Sequence, residues 1–238
     1  PEALAELARQ ECDLLVVNCG DVTLQYVLTE ILGHGTFGDR VPMIAPLRAG
    51  RTNMSALDLG AHRNPLRGLA ELIDCAEDGR IAERVEPRRV LHVSYGYGIA
   101  RTSQYGMFFG AGLIKRAIDL NHRLFDNDDQ KLLVEGVPGA TLSRLFARMR
   151  PFWGQGPGGV RFTAIASPAH RIGSAAVGIL RGQPRDWVTP DNGYTSRNVD
   201  HAELRMGCGF TVDGELWQPD SDRGISLTAE RVVHFVRA

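Results

Sequence analysis

Lysine is almost missing from this 238-residue sequence. Of its 27 Lys and Arg residues only Lys115 and Lys131 are lysine, and 28 Asp and Glu bring the formal net charge to −1. A near-neutral chain has no basic stripe for nucleic acid and no polybasic tether, so nucleic acid is not an expected partner. The arginine preference reflects either codon usage or selection for phosphate, which the planar guanidinium grips with two bonds. Cysteine is sparse too: Cys12, Cys19, Cys75 and Cys208 form no C-x-x-C pair, and no His-x-x-x-His occurs. That argues against a zinc site or a disulfide framework and fits a reducing compartment. No apolar run approaches the length of a membrane span and no signal peptide is legible, so the expectation is a cytoplasmic protein that meets any membrane from outside. Several signatures are also absent. G-x-x-x-x-G-K-[ST] does not occur, the Gly96/Gly98 and Gly110/Gly112 pairs lack the third glycine of a dinucleotide fingerprint, and there is no G-x-S-x-G elbow.

What is present is a globular composition, 43% hydrophobic and 23% charged, enough for one or two domains with a core. Residues 1–10 have helical spacing, and 14–17 is a short apolar run of the kind found in buried parallel strands. The pattern then predicts a helix over 23–32, a strand over 41–45, a loop over 46–52, and helices over 53–59 and 65–77. This alternation implies an α/β layer with a parallel sheet. After Gly79 the chain reads as all-β. Strand-like runs cover 85–93, 162–167, 175–180, 201–206, 209–216 and 231–236, with one helix over about 111–124 and a Gly/Pro-rich loop over 152–159.

Two loops follow buried strands and open helices, where free N–H groups and the helix dipole attract anions. In the first, residues 17–24, Gly20 permits close approach of a ligand, Asp21 can bind a metal or act as a base, and Thr23 can cap the next helix. An ordinary βα turn remains the bland alternative. In the second, residues 46–53, Gly50 allows close approach, Arg48 and Arg51 can hold phosphate oxygens, and Asn53 is a helix N-cap or a nucleotide ligand. A third candidate, Asp213-Gly214-Glu215, is either a hairpin turn or a paired carboxylate set that orients or deprotonates a hydroxyl.

The order of these motifs resembles the catalytic domain of the diacylglycerol, sphingosine and ceramide lipid kinases. Cys19-Gly20-Asp21-Val22-Thr23-Leu24 resembles the family's G-G-D-G-T-L loop, and Pro46 through Met54 resembles its P-x-G-T-x-N loop. Phe109-Gly110-Ala111-Gly112 resembles its small-residue glycine motif, and Val212-Asp213-Gly214-Glu215 its late D-G-E. The resemblance implies an α/β nucleotide-binding domain over 1–80, joined by a returning segment 228–238, and an antiparallel β-sandwich over 81–227 that receives the lipid, with a nucleotide cleft between them. It implies ATP and Mg²⁺ as cofactors and a ceramide or diacylglycerol-type lipid as acceptor. It also implies peripheral contact with a membrane surface and allows a homodimer. Asp21 or Asp213 becomes the base and Glu215 the second carboxylate, with metal ligands unassigned. Gly20, Thr23, Gly50, Arg51 and Asn53 fall to the nucleotide. The apolar stretch 105–114 either lines a lipid groove or is core. Cys19, Val22 and Arg51 depart from the family pattern, and Lys115 and Arg116 stand near the place of a sphingosine-kinase Asp. A catalytically impaired nucleotide- and lipid-binding paralogue and an NAD kinase-like enzyme therefore stay open.

Overall fold

The structure is a computed structural model describing residues 2–50, 52–96, 102–111, 152–166, 168–206, 208–218 and 224–238. It is mixed α/β, built mostly of strands with a few helices, and among the described residues its sheets are open.

Helix α1 (Glu2–Arg9) lays Leu4 and Leu7 on a core formed largely by α2 (Asp21–Leu32). Strand β1 (Leu14–Cys19) pairs in parallel with β2 (Met43–Arg48). The short helix α3 (Met54–Asp58) and then α4 (Pro65–Glu77) follow. Pro65 opens α4 at a position where its missing N–H is no loss, and the Asn64 side-chain Oδ1 accepts from Leu66 N–H at 2.9 Å. The final strand, β13 (Val232–Val236), runs parallel to β2 and antiparallel to β3 (Val85–Arg89), giving the order β1-β2-β13-β3. Leu24, Leu28 and Ile31 of α2 bury against Ile44 and Phe235 of this sheet. Burial of such side chains contributes about 1.5–3 kcal/mol each.

The remaining strands are antiparallel. One sheet has the order β5 (Thr102–Gly106), β4 (Leu91–Tyr95), β12 (Gly224–Thr228), β9 (His201–Arg205). A second joins β11 (Glu215–Trp217), β10 (Phe210–Val212) and β6 (Phe109–Ala111). The third pairs β7 (Val160–Ile165) with β8 (Tyr194–Val199), and helix α5 (Ile172–Leu180) lies between them in sequence.

Three expectations need correction. The 85–93 run is two strands in two different sheets, broken at the fully buried Val90. Residues 175–180 are helical, because Ala175 and Ile179 one turn apart give the segment a buried stripe. Strand β2 runs on through Pro46 to Arg48, since buried Ala45, Pro46 and Leu47 outweigh the one ladder bond that proline cannot donate. The 209–216 run is a hairpin turning at Asp213-Gly214, the turn reading of that motif. The helix expected over 111–124 begins at Ala111, which belongs to β6, and otherwise lies outside the described residues.

Candidate active site where two βα loops cross

Strands β1 and β2 end side by side, with Cys19 opposite Arg48. The loops leaving them meet at Gly20 and Gly50. A Cβ on Gly50 would collide with the Gly20 Cα and come within 3.0 Å of the Asn53 Oδ1, while a Cβ on Gly20 would stand 3.2 Å from the Gly50 Cα. Gly50 therefore needs glycine for this approach and Gly20 is tight there, whatever ligand they meet.

Asp21 is buried in this crossing. Its Oδ2 accepts from Thr52 Oγ1 and Met54 N–H, and its Oδ1 from Ser55 N–H, each at 2.9 Å. The carboxylate at the start of α2 thus caps α3, with a negative charge on the positive end of that helix. Asn53 stands at the N-cap position of α3, but in the left-handed region with φ 51°, and its side chain makes no cap bond. It bonds back to the loop instead: Gly50 N–H donates to Oδ1 and Nδ2 donates to Gly50 O, both at 2.6 Å. Thr23 does not cap either. Helix α2 starts earlier than the sequence suggests, at Asp21, so Thr23 lies inside the first turn and faces solvent. Gly20 is the N-cap and makes no side-chain bond, so the opening N–H groups of α2 keep their donors. Arg51 lies outside the described residues.

Opposite Cys19, at the end of β2, is an unpartnered donor. The Nε of Arg48 is buried without a hydrogen-bond partner, and the side chain forms no ion pair among the described residues. A buried guanidinium donor left empty costs free energy unless something accepts from it. Its neighbour Cys19 is no nucleophile: burial first, then the Asp21 charge, push its thiol up to about 11, against the opposing backbone bond at Leu24.

The Asp213-Gly214 turn reaches the same place. A Cβ on Gly214 would lie 3.8 Å from Val22 of α2. Asp213 is 7% exposed and holds the turn between β5 and β6: Met107 N–H donates to Oδ2 and Phe108 N–H to Oδ1, each at 2.8 Å. Burial and the Asp21 charge raise its pKa to about 7, although the Met107 and Phe108 N–H groups pull it down. Glu215 lies near the Tyr26 phenol of α2, whose pKa is raised by desolvation first and then by the Glu215 carboxylate.

The structure therefore brings together Gly20, Asp21, Gly50, Asn53 and Asp213, with Glu215 one turn away near Tyr26. Gly106 has no counterpart among the candidates from sequence. A Cβ there would sit 2.5 Å from Asp213 Oδ2, so glycine is required for the Asp213 clamp. A buried amide network, Gln25 Nε2 to Gln104 Oε1 at 2.7 Å with Thr29 beside it, ties α2 to β5 behind the site. In the described part of the apolar stretch the large side chains are half-buried: Phe109 stacks on Phe210 and Tyr105 on His92.

Does this arrangement fit ATP and Mg²⁺? The uncapped start of α2 and the orphaned Arg48 Nε fit phosphate oxygens. No group of three His, Cys, Asp or Glu residues that could hold a metal exists among the described residues. No protein-family model matches the chain, and no curated protein matches it either.

Proposed function

We propose that the protein is an ATP-dependent lipid kinase that transfers the γ-phosphoryl group to a hydroxyl of a ceramide or diacylglycerol-type lipid, in a cleft between an α/β part and an antiparallel part of the chain. The observation that carries the reading is the buried, unpartnered Nε of Arg48, at the end of the strand paired with the one that leads into the uncapped N-terminus of α2. Two donors of positive character with no acceptor make a place for phosphate. The ordered resemblance to lipid kinases supplies the reaction class, and Asp213 beside Asp21 supplies a carboxyl of the right character.

In this reading Arg48 and the N–H groups opening α2 bind the phosphates, while Gly20 and Gly50 keep the two loops in register. Asp21 acts as a positioning residue, because its oxygens are committed to α3 and Thr52. Asp213, with a pKa near neutrality and a second lone pair on each oxygen, takes the proton of the lipid hydroxyl. The lipid oxygen gains the γ-phosphorus as its bond to the β-bridging oxygen breaks. Mg²⁺ carried by the nucleotide would neutralise phosphate charge, and Glu215 would serve as the second carboxylate, holding the ion's waters or orienting the hydroxyl.

The test is transfer of label from Mg-ATP to ceramide, diacylglycerol and sphingosine in mixed micelles, with NAD as a separate acceptor. Labelled lipid, lost in Arg48→Gln, supports the proposal. Labelled NAD alone would replace it with an NAD kinase-like reading, and ATP binding with no labelled acceptor would favour the impaired paralogue. For Arg48→Gln we expect ATP affinity to fall roughly 10- to 100-fold, the worth of a hydrogen bond to a charged group. Its melting temperature should stay at or above wild type, because an orphaned donor is removed.

A further inference from the structure

We propose that helix α5 is a docking surface for an anionic lipid bilayer, its apolar outer face entering the headgroup boundary and Arg171, Arg181 and Arg185 meeting the phosphates. The inference deepens the lipid-kinase reading and rests on it, since a long-chain lipid hydroxyl is met at a bilayer.

At 100° per residue, Ala175 and Ile179 share one stripe of α5, and that stripe is buried with Val188 and Tyr194. An adjoining arc of the helix, from Ile172 beside the buried stripe through Ala176 and Leu180 to Val177 on the far side, is apolar as well. Ile172 is 47% exposed, Val177 59% and Leu180 37%. A helix on a water-facing surface normally puts charged or polar residues on this side. Here the nine residues of α5 contain no charged side chain, and Ser174 is their single polar one. The helix is apolar on both sides, and only one side has a protein partner among the described residues.

The ends are basic. Arg171 is the N-cap, Arg181 the C-cap, and Arg185 follows; all three are exposed, and none forms an ion pair among the described residues. Between residues 168 and 188 the one acid is Asp186. Arg171 stands at the positive end of the helix dipole, where a cation weakens the helix, so helix stability does not explain it. Contact with an anionic surface does, because guanidinium pairs with phosphate in two-bond geometry. The same charges disfavour a second copy as occupant: two α5 faces packed together would oppose like-charged arginines. At a rise of 1.5 Å per residue the helix is about 13 Å long, too short to span a bilayer and suited to lying in its surface.

The experiment is co-sedimentation of the full chain with phosphatidylcholine vesicles, with and without phosphatidylserine, in the absence of ATP. The expected result is binding to the serine-containing vesicles that weakens at ~1 M salt, where the screening length drops to about 3 Å. A variant carrying Ile172→Ser, Val177→Ser and Leu180→Ser should bind at least ~10-fold more weakly. These side chains are exposed, and an unchanged melting curve would confirm a folded chain. Arg171→Gln with Arg181→Gln and Arg185→Gln should abolish the preference for phosphatidylserine. Equal binding by wild type and the serine variant would overturn the proposal, as would no binding by wild type. So would a wild-type dimer that the serine variant converts to a monomer, because a second copy would then own the face. Because vesicle binding is read without ATP, its failure leaves the kinase reading standing. Transfer to a short-chain soluble diacylglycerol, unchanged in the serine variant, isolates the chemistry from the docking.

Discussion

Asp213→Asn should lower phosphate transfer by ~10²–10⁴-fold, the usual worth of a positioned general base, while leaving ATP affinity near wild type. The asparagine keeps the shape and one acceptor of the clamp, so the turn between β5 and β6 survives, but it cannot take a proton. Wild-type transfer at saturating ATP should rise with pH and level off above about 7, where Asp213 is ionised. The same group makes a stability prediction with a definite sign. Its folded pKa of about 7 lies above the ordinary aspartate value of 3.8, so between these values the folded chain binds more protons than the unfolded one. Stability contributed by Asp213 is fully present at low pH and is lost as pH rises toward 7. At 1.36 kcal/mol per unit this amounts to at most about 4 kcal/mol. Urea midpoints for wild type and Asp213→Asn, taken between pH 5 and 8, should therefore show wild type losing ground as pH rises. Wild type gaining on the variant over that range would mean that the Met107 and Phe108 N–H groups win over burial and that Asp213 is an ordinary low-pKa carboxylate.

Gly50→Ala should be the most damaging single-methyl change in the site. The added Cβ meets the Gly20 backbone, which cannot swing aside as a side chain could, and it also crowds the Asn53 amide that closes the loop. Overpacking of this kind costs about 1–3 kcal/mol. In a chain of this size that lowers the melting temperature by roughly 2–12 °C. ATP affinity should fall at least ~10-fold, because separating the loops by about 1 Å moves the phosphate donors out of alignment. Gly20→Ala should be milder, since its Cβ stands at 3.2 Å from the Gly50 Cα, a distance that small shifts can relieve. A Gly50→Ala chain that melts with wild type and binds ATP normally would show that the two loops are not a rigid unit.

The parts of this molecule that were legible in the sequence are those decided by local chemistry. Helix α4 announces itself through Asn64, Pro65 and the closing Gly79, all within one segment. Strand β1 follows from four apolar residues after Asp13. The Asp213-Gly214 turn is a local signal too. Elements failed where a distant partner decides. The break at Val90 is invisible because the alternation continues through it while the chain passes from one sheet to another. Short apolar α5 has no periodicity that separates strand from helix until its buried stripe is seen. The site divides in the same way. Gly20, Asp21, Gly50 and Asp213 stood out as residue types in suggestive loops, but their jobs are non-local. Asp21 caps a helix more than thirty positions away, and Asp213 clamps a turn more than a hundred positions away. Thr23 and Asn53 were assigned caps by the usual local rule, and Asp21 had already taken that role at α3.

The claim on which the rest depends is that phosphate binds where the two loops cross. Hydrogen exchange of the full chain, followed by peptide mass with and without Mg-ATP, tests it without any assumption about the lipid. The account predicts slowed exchange in peptides covering residues 19–24 and 47–55, and loss of that protection in Arg48→Gln. Protection confined to other segments while ATP is bound, or no protection at any ATP concentration, would contradict it.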